Sequence, residues 1–473
     1  MKFDNNVVEK ILSDVIFYTD ELDRHTVYAK YSKPDSSVWL SNIESSDFRA
    51  FLRVEYREAA AEDTALPVDD VIERIHDENI HYNNHPKIKV HRRVAGNLFT
   101  GIEYFLADAE QNVVQVTPTG QVITTEHDYM FIKEASGLPQ VMPDPSQRTI
   151  FELLQPFVNL QGDSFKLFVI WLIQEFSGGH HFCLFLSAER GSGKSLLTHV
   201  INKLLDPSPA EACRMPKTVD NLETYLSSHY LASFDNVDQI HKEYSDAFCV
   251  AVTGGTVPRR RKFKDQALIY LQLHNVLILN GIGIAPYESD LAERSLFFSM
   301  SKLKSNELRP EFELWAEFDK CRGQILWCVF DTLAKSMQYV ESIKVKATQR
   351  MMDAHIEMLA IAAALGISAD EFNEMLANNI AQMNKECAAV PLVQAIDECM
   401  LSHGKRKLEG TVSDVFSQVK LCYSGDKKAL PPNAAEFGKK LNQLEAPLRA
   451  AGYRFLTDDT GSKANILTII KSK

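Results

Sequence analysis

The chain has 473 residues, with 51 Lys plus Arg against 63 Asp plus Glu, giving a formal net charge of −12. Apolar residues make up 45% and charged residues 24%, which is ordinary globular usage and excludes a disordered chain, a collagen-like fibre and a small disulfide scaffold. The acidic balance counts against a protein that coats nucleic acid with uniform positive charge, but it leaves room for local basic patches.

At roughly 150 residues per domain, the length suggests about three domains. The eight cysteines are scattered and no pair is spaced C-x-x-C, so no structural zinc site is expected. The cluster His180-His181-Phe182-Cys183 runs into an apolar strand pattern and reads as plain structure. The start, MKFDNNVVEKIL, lacks the basic and apolar regions of a signal peptide. The longest apolar runs, 167–173 and 358–367, fall far below the roughly 20 residues that span a bilayer. A reduced, cytoplasmic chain with no membrane partner is expected.

In chain order, residues 1–85 mix helical and irregular patterns and carry many acids (Glu58, Glu62, Asp63, Asp69, Asp70, Glu73), without a catalytic constellation. Val113, Val114 and Val116, then Val122 and Ile123, flank Pro118-Thr119-Gly120, a strand–turn–strand signature. Pro139, Pro143 and Pro145 suggest a linker over 138–145, and helical periodicity runs from about 149 to 176. Between 180 and 300, apolar runs at 182–186, 230–234 and 276–279 alternate with helical patterns, which predicts a parallel sheet flanked by helices. Residues 310–400 look almost wholly helical. The tail, 391–473, reads as short helices with a β-like end at 453–456 and 466–470.

The strongest signal is Ala188-Glu189-Arg190-Gly191-Ser192-Gly193-Lys194-Ser195, placed between the strand at 182–186 and a helix beginning at Leu196. A phosphate loop needs this context. Backbone N–H groups of a Gly-rich turn cradle phosphate oxygens, and the helix N-terminus adds partial positive charge. Lys194 would reach the β- and γ-phosphates of ATP, and the Ser195 hydroxyl would ligate Mg²⁺. Ala188 stands where the strict pattern has Gly.

A metal-holding acid is expected on a neighbouring strand, and Asp235 ends the apolar run 230–234. The next residue, Asn236, cannot take a proton but can orient a water. The general base is therefore missing, is Asp238, or comes from elsewhere. Asn280, at the tip of the third strand, would position water near the γ-phosphate. Arg294 would contact the γ-phosphate in its own subunit or across a subunit boundary, or else make a salt bridge with Glu293 or Asp290. The densest basic run is Arg259-Arg260-Arg261-Lys262-Phe263-Lys264. It suits phosphate backbones, with Phe263 stacking on a base, or a solvated face, or ATP at a subunit interface. Smaller basic groups are Lys87, Lys89, Arg92 and Arg93, then Lys405, Arg406 and Lys407, then Lys427 and Lys428, with Lys439 and Lys440.

Read in order, Ser233-Phe234-Asp235-Asn236-Val237, Thr253-Gly254-Gly255, Arg260, the run 276–281 and the run 290–294 resemble phage- and plasmid-type superfamily 3 helicases of the AAA+ class, the ATPase part of poxvirus-like primase–helicases. His91-Arg92-Arg93 with Pro143 is similar to the β region ahead of that ATPase. Gln349-Arg350-Met351-Met352-Asp353 is similar to the helical segment after it, and Pro431-Pro432-Asn433 with Phe437-Gly438-Lys439 to its winged-helix tail.

The resemblance implies an α/β P-loop AAA+ core over 146–310. It also implies an α+β region over 1–145, a helical segment over 311–390 and a winged-helix-like DNA- or partner-binding domain over 391–473. It implies ATP and Mg²⁺ held by residues 188–196, with Ser195 and Asp235 as metal ligands. It implies a homo-oligomeric, usually hexameric ring around single-stranded DNA, with Arg260 and Arg294 acting between neighbours. Residues 1–85 are too short for the primase domain that many relatives carry, so a primase or other replication proteins would be separate partners. The expected function is an ATP-dependent DNA helicase or translocase of a mobile element. The alternative is a non-helicase AAA+ ATPase acting as a regulatory, defence or loader switch.

Overall fold

The computed structural model describes residues 4–471 apart from 34–36, 61–64, 83–84, 133–136, 238–239, 261–267, 283, 287, 305–307, 346–349, 389–390, 405, 426, 428–429, 445–447, 449–451 and 459–465. Asp238, Arg261, Lys262, Phe263, Lys264, Gln349, Lys405 and Lys428 therefore lie outside the described residues. The fold is mixed α/β, with a parallel sheet and helices on its faces.

The central sheet has four parallel strands in the order Leu231–Phe234, Val276–Gly281, Cys183–Ala188, Ser295–Met300. Cys213 adds a parallel bridge to Phe234 at the outer edge. Every residue of Cys183–Ala188 and Val276–Gly281 is buried, so these strands read as continuous apolar runs, as a sheet covered on both faces requires. The outer strand Ser295–Met300 was not among the expected ones. Its sequence, SLFFSM, follows the short helix Ser289–Ala292 and the charged pair Glu293-Arg294, which hid it.

Helix Gly162–Gln174 is buried almost all round. The indole of Trp171 donates to the Phe182 carbonyl at 3.0 Å, tying this helix to the start of the central strand. Helices Glu311–Ser336, Met352–Ala364 and Ala369–Ala388 fill the stretch expected to be helical. The apolar residues of the first two, with Phe372, Met375 and Leu376, share one core with the sheet.

Two four-stranded sheets and a two-stranded parallel pair, Val90–His91 with Met130–Phe131, precede this body. Residues expected to be helical and irregular form a four-stranded sheet in the order Val38–Asn42, Val27–Ser32, Ile16–Asp20, Lys87–Ile88. Its residues pack with helices Ser46–Ala59 and Val68–Tyr82 in a core of their own. The second sheet is the meander Val94–Asn97, Gly101–Phe105, Val113–Thr117, Gly120–Thr124, and its turn is the expected one at Pro118-Thr119. Val94, Tyr104, Val114 and Val116 belong to the core of the parallel sheet and its helices, so a single core runs across residue 145.

The proline-rich stretch expected as a linker is instead strapped to this body. Gln140 donates from its amide to the carbonyl of Leu204 at 2.7 Å, and Tyr104 donates to that of Leu205 at 3.0 Å. These bonds satisfy carbonyls at the end of helix Lys194–Leu205 that have no partner within the helix. Asp144 donates its N–H to the Gly323 carbonyl at 3.0 Å, and a Cβ on Gly323 would meet the Met142 carbonyl at 2.8 Å. Arg93, expected in a basic patch, is buried and ion-paired to Asp206 at 2.8 Å. It fastens the second sheet to the end of the same helix.

The tail runs as helix Pro391–Ser402, strand Lys407–Thr411, helix Val412–Cys422, helix Ala434–Gln443 and strands Tyr453–Asp458 and Ile466–Lys471. The strands pair antiparallel with Ile466–Lys471 in the middle, over a separate apolar core.

Two buried acids stand behind the start of the central strand. Glu175 touches the His181 ring at 2.5 Å, and both are fully buried. Burial pushes the carboxyl well up and the imidazole down to about 3, so it disfavours the charged form of each. Glu357 accepts from Ser177 at 2.6 Å and from Gln174 at 3.1 Å, and burial raises its carboxyl to about 7. The unfolded carboxyl gives up its proton near 4.5 and the folded one near 7. Stability should therefore fall as pH rises between these values and level off above, by about 3 kcal/mol at most. Urea unfolding of Glu357→Gln, which keeps a neutral side chain at every pH, should show a shallower decline from pH 5 to pH 7. An identical slope in both proteins would contradict this account.

Candidate functional site

The carboxyl ends of the parallel strands lie on one edge, and the expected residues converge there. After Ala188 the chain turns through residues 189–193 into helix Lys194–Leu205. Gly191 and Gly193 both have φ of +81°, a region that glycine enters without penalty. Gly193 is the N-cap and offers no side chain, so the first N–H groups of the helix have no side-chain acceptor there. Glu189, Arg190 and Ser195 are exposed. Leu196 is half-buried and packs on the main core.

Residues that the motif did not flag hold the loop. The Asn159 amide donates to the carbonyls of Ser192 and Ser301, both at 2.8 Å, and Leu303 donates its N–H to the Gly191 carbonyl at 3.1 Å. The segment after Ser295–Met300 therefore lies along the loop. A Cβ on Gly191 would stand 3.8 Å from the Lys302 Cε, which puts a second lysine beside the turn. The hydroxyl of Ser192 is buried without a hydrogen-bond partner. Sequence offers only a weak signal for these groups: Asn159 sits just before a helix, and Lys302 just after a strand.

Asp235 follows strand Leu231–Phe234, and the chain turns at Asn236 with φ of +55°. Asparagine tolerates this left-handed geometry better than most residues. The Asn236 backbone N–H donates to one carboxylate oxygen of Asp235 at 2.8 Å, and its side-chain amide donates to the other at 3.2 Å. Asn236 thus aims the carboxylate.

Asn280 is almost fully buried. Its amide donates to the Thr198 hydroxyl at 3.2 Å, while its carbonyl oxygen accepts from the Asn236 N–H at 3.3 Å. The Thr198 hydroxyl in turn donates to the Lys194 carbonyl at 3.1 Å. One chain of bonds therefore runs from the Lys194 backbone to the Asp235 turn. Asn280 is taken up in this chain and acts as a bracket between loop helix and acid. Thr198 was not expected; it lies one helical turn after Lys194, on the face turned to the sheet. Desolvation lowers the Lys194 ammonium below its ordinary value, and the charge of Asp235 partly offsets the shift.

Arg294 is not brought to this edge. It precedes Ser295, which pairs with Cys183 at the opposite end of the central strand. Six residues at about 3.3 Å each separate that level from the loop, on the order of 20 Å. The own-subunit contact is therefore out of reach. Its guanidinium pairs with Asp290 at 2.8 Å, and Arg350 pairs with the same carboxylate at 2.5 Å.

The basic run begins within a hairpin, Gly255–Arg260 against Leu268–Leu273. Arg259 is committed to helix Val219–Leu226, with Glu223 at 3.2 Å and Asp220 at 3.6 Å. It is not a free backbone grip. Arg260 pairs with Leu268 through its strand position.

Residues 151–378 match the family model described as "Actinomycete integrative conjugative element replication protein". No curated protein matches the chain. Among solved structures, the C-terminal region of NrS-1 in its A form without ligand is 12% identical, with 98% of this chain and 99% of that chain covered and a TM-score of 0.42. The structure titled "SCCmec type IV Cch - active helicase" is 10% identical, with 97% of this chain and 92% of that chain covered and a TM-score of 0.47. Among the described residues, no helix is long and apolar enough to cross a membrane.

The bond chain gives a direct test. Thr198→Val keeps the shape but leaves the buried Asn280 amide without its acceptor, so it should cost about 1–3 kcal/mol in urea unfolding. Ser195→Ala, on an exposed side chain, should fall within about 0.5 kcal/mol of the parent. Equal effects from the two would show that the Thr198–Asn280 bond contributes nothing.

Proposed function

We propose that the chain is a Mg²⁺-dependent ATP hydrolase that moves on single-stranded DNA, as a replicative helicase or translocase of a mobile element. The observation that carries this reading is one sheet edge. There a glycine turn and an uncapped helix N-terminus carry Lys194 and Ser195, beside an acid, Asp235, whose carboxylate is aimed by Asn236 and braced through Asn280. The turn suits phosphate oxygens. Residues 188–196 would hold the triphosphate, with Lys194 and Lys302 as its cations.

The Ser195 hydroxyl and the Asp235 carboxylate are hard oxygen donors, which fit Mg²⁺. A bound Mg²⁺ would neutralise charge on the β- and γ-oxygens. Asn236 holds no proton-accepting group, so its role is to fix Asp235 and, through it, the metal's water shell.

Arg294 lies too far away to serve its own loop; it is buried and shares the Asp290 carboxylate with the exposed Arg350. Transfer to a neighbour's γ-phosphate in a ring would need the Asp290 pair to open, and would complete each site from two copies. The name of the matched family, a replication protein of a conjugative element, supports DNA as the track. The hairpin Gly255–Leu273 carries the basic run and would supply the grip. The helices and three-stranded sheet of 391–471 suit a winged-helix unit that touches DNA or a replication partner such as a separate primase.

Lys194→Ala should lower ATP turnover on the order of 100-fold or more and abolish strand displacement on a forked duplex. Unwinding that survives this change would overturn the reading. Loss of unwinding with DNA-independent ATP turnover intact in the parent would favour the switch-type ATPase.

Mixing Arg294→Ala chains with Lys194→Ala chains should restore part of the turnover, because some interfaces then join an intact loop to an intact arginine. No recovery in an assembly shown to mix would remove Arg294 from the site.

A further inference from the structure

Three potential metal ligands meet in the tail unit, far in sequence from the phosphate loop. Cys399 and His403 are four residues apart at the end of helix Pro391–Ser402, so they share one face. Cys422 closes helix Val412–Cys422. The His403 Nδ1 lies 3.9 Å from the Cys399 Sγ and 4.0 Å from the Cys422 Sγ, and all three atoms lie within 4.8 Å of one another. They are the only such group of three among the described residues. All eight cysteines are thiols.

We propose that Cys399, His403 and Cys422 bind a thiophilic divalent cation of the zinc class. Bonds of about 2.3 Å to sulfur and 2.0–2.1 Å to nitrogen place tetrahedral ligand atoms roughly 3.6–3.8 Å apart. The observed sulfur–nitrogen separations exceed that by only a few tenths of an ångström, which a side-chain adjustment closes. Two sulfurs and an imidazole select zinc over magnesium, which prefers oxygen. Both helices end at the cluster, so their partial negative charges face the cation.

In the metal-free arrangement His403 Nδ1 donates to the Cys399 carbonyl at 2.8 Å. Metal binding needs the other tautomer, with the proton on Nε2. Because His403 is exposed, water can receive that N–H. Cys399 is buried and Cys422 half-buried, so the cation would sit at the rim of the tail core. Its fourth position would face solvent and take water. The cation would replace the thiol protons, which leave to solvent. It would cross-link two helices of a unit whose apolar core is its own.

The sequence hid this site because its third ligand lies 19 positions after His403 and no C-x-x-C marks it. The test uses the full chain without nucleotide, reduced and titrated with Co²⁺ and then Zn²⁺. One equivalent of Co²⁺ should give thiolate-to-cobalt charge-transfer absorption with the d–d bands of a tetrahedral site. Zn²⁺ should bleach both and slow alkylation of Cys399 and Cys422.

His403→Ala, on an exposed side chain, and Cys422→Ser should each weaken Co²⁺ binding by roughly ten-fold or more with far-ultraviolet dichroism unchanged. Asp235→Asn should leave the cobalt spectrum as in the parent. Absence of the thiolate band in the folded parent would overturn the proposal. So would a band unchanged in both variants, or a Cys399–Cys422 disulfide recovered from reduced protein in place of metal.

Discussion

The candidate site depends on the parallel register of one buried strand. Cys183–Ala188 lies between Val276–Gly281 and Ser295–Met300, and its neighbours run in its own direction. Parallel pairing sends every strand's carboxyl end to the same edge. The glycine turn, the Asp235 turn and Asn280 therefore meet without any one loop having to be long. The same register sends Arg294 to the opposite edge, because it precedes its strand. Arg294 and the glycine turn therefore cannot meet within one rigid copy.

Charge is distributed to match. The net charge of −12 includes many acids of the N-terminal unit, several of them spent on its own arginines, as in Arg49 with Asp69 and Arg74 with Glu9 and Glu78. Behind the sheet, burial disfavours charge on both Glu175 and His181. Arg93 is buried there as well, and Asp206 answers its charge. The positive groups beside the glycine turn, Lys194 and Lys302, lie in the segments that follow strands Cys183–Ala188 and Ser295–Met300. An overall acidic chain is thus compatible with anion binding at one edge of one sheet.

The parts legible in the sequence were those that short-range pattern controls. The glycine turn between an apolar run and a helix, the acid at a strand end and the Asn at a strand tip are local signals. The bracket through Thr198 was not legible, because it joins residues 82 positions apart. Nor was the role of the strap at 138–145. Three prolines read as a linker, while its anchors, Gln140 and Tyr104, are spent on carbonyls of a distant helix. The basic run overstated its free charge for the same reason: Arg259 has acidic partners on Val219–Leu226. In the N-terminal sheet, strand Val27–Ser32 does alternate buried and less buried residues, but at six residues the pattern is too short to outweigh the flanking polar loops.

The hairpin is an insertion between the two strands that carry Asp235 and Asn280, and its placement bears on how such a site would act at a distance. Helix Lys242–Thr253 has 12 residues, about 18 Å at 1.5 Å each, close to the depth of the sheet. It runs from the Asp235 side to the far edge, where Val252 and Ala251 accept N–H bonds from His181 and Asn275. The chain then turns at Gly254, with φ of +75°, into the hairpin. Positive φ occurs at Asn236, six positions before the helix, and at Gly254, directly after it. The helix thus joins the side of the sheet that carries Asp235 to the edge where the hairpin begins. A helix that joins two edges of a sheet moves as a unit when one of its ends is displaced.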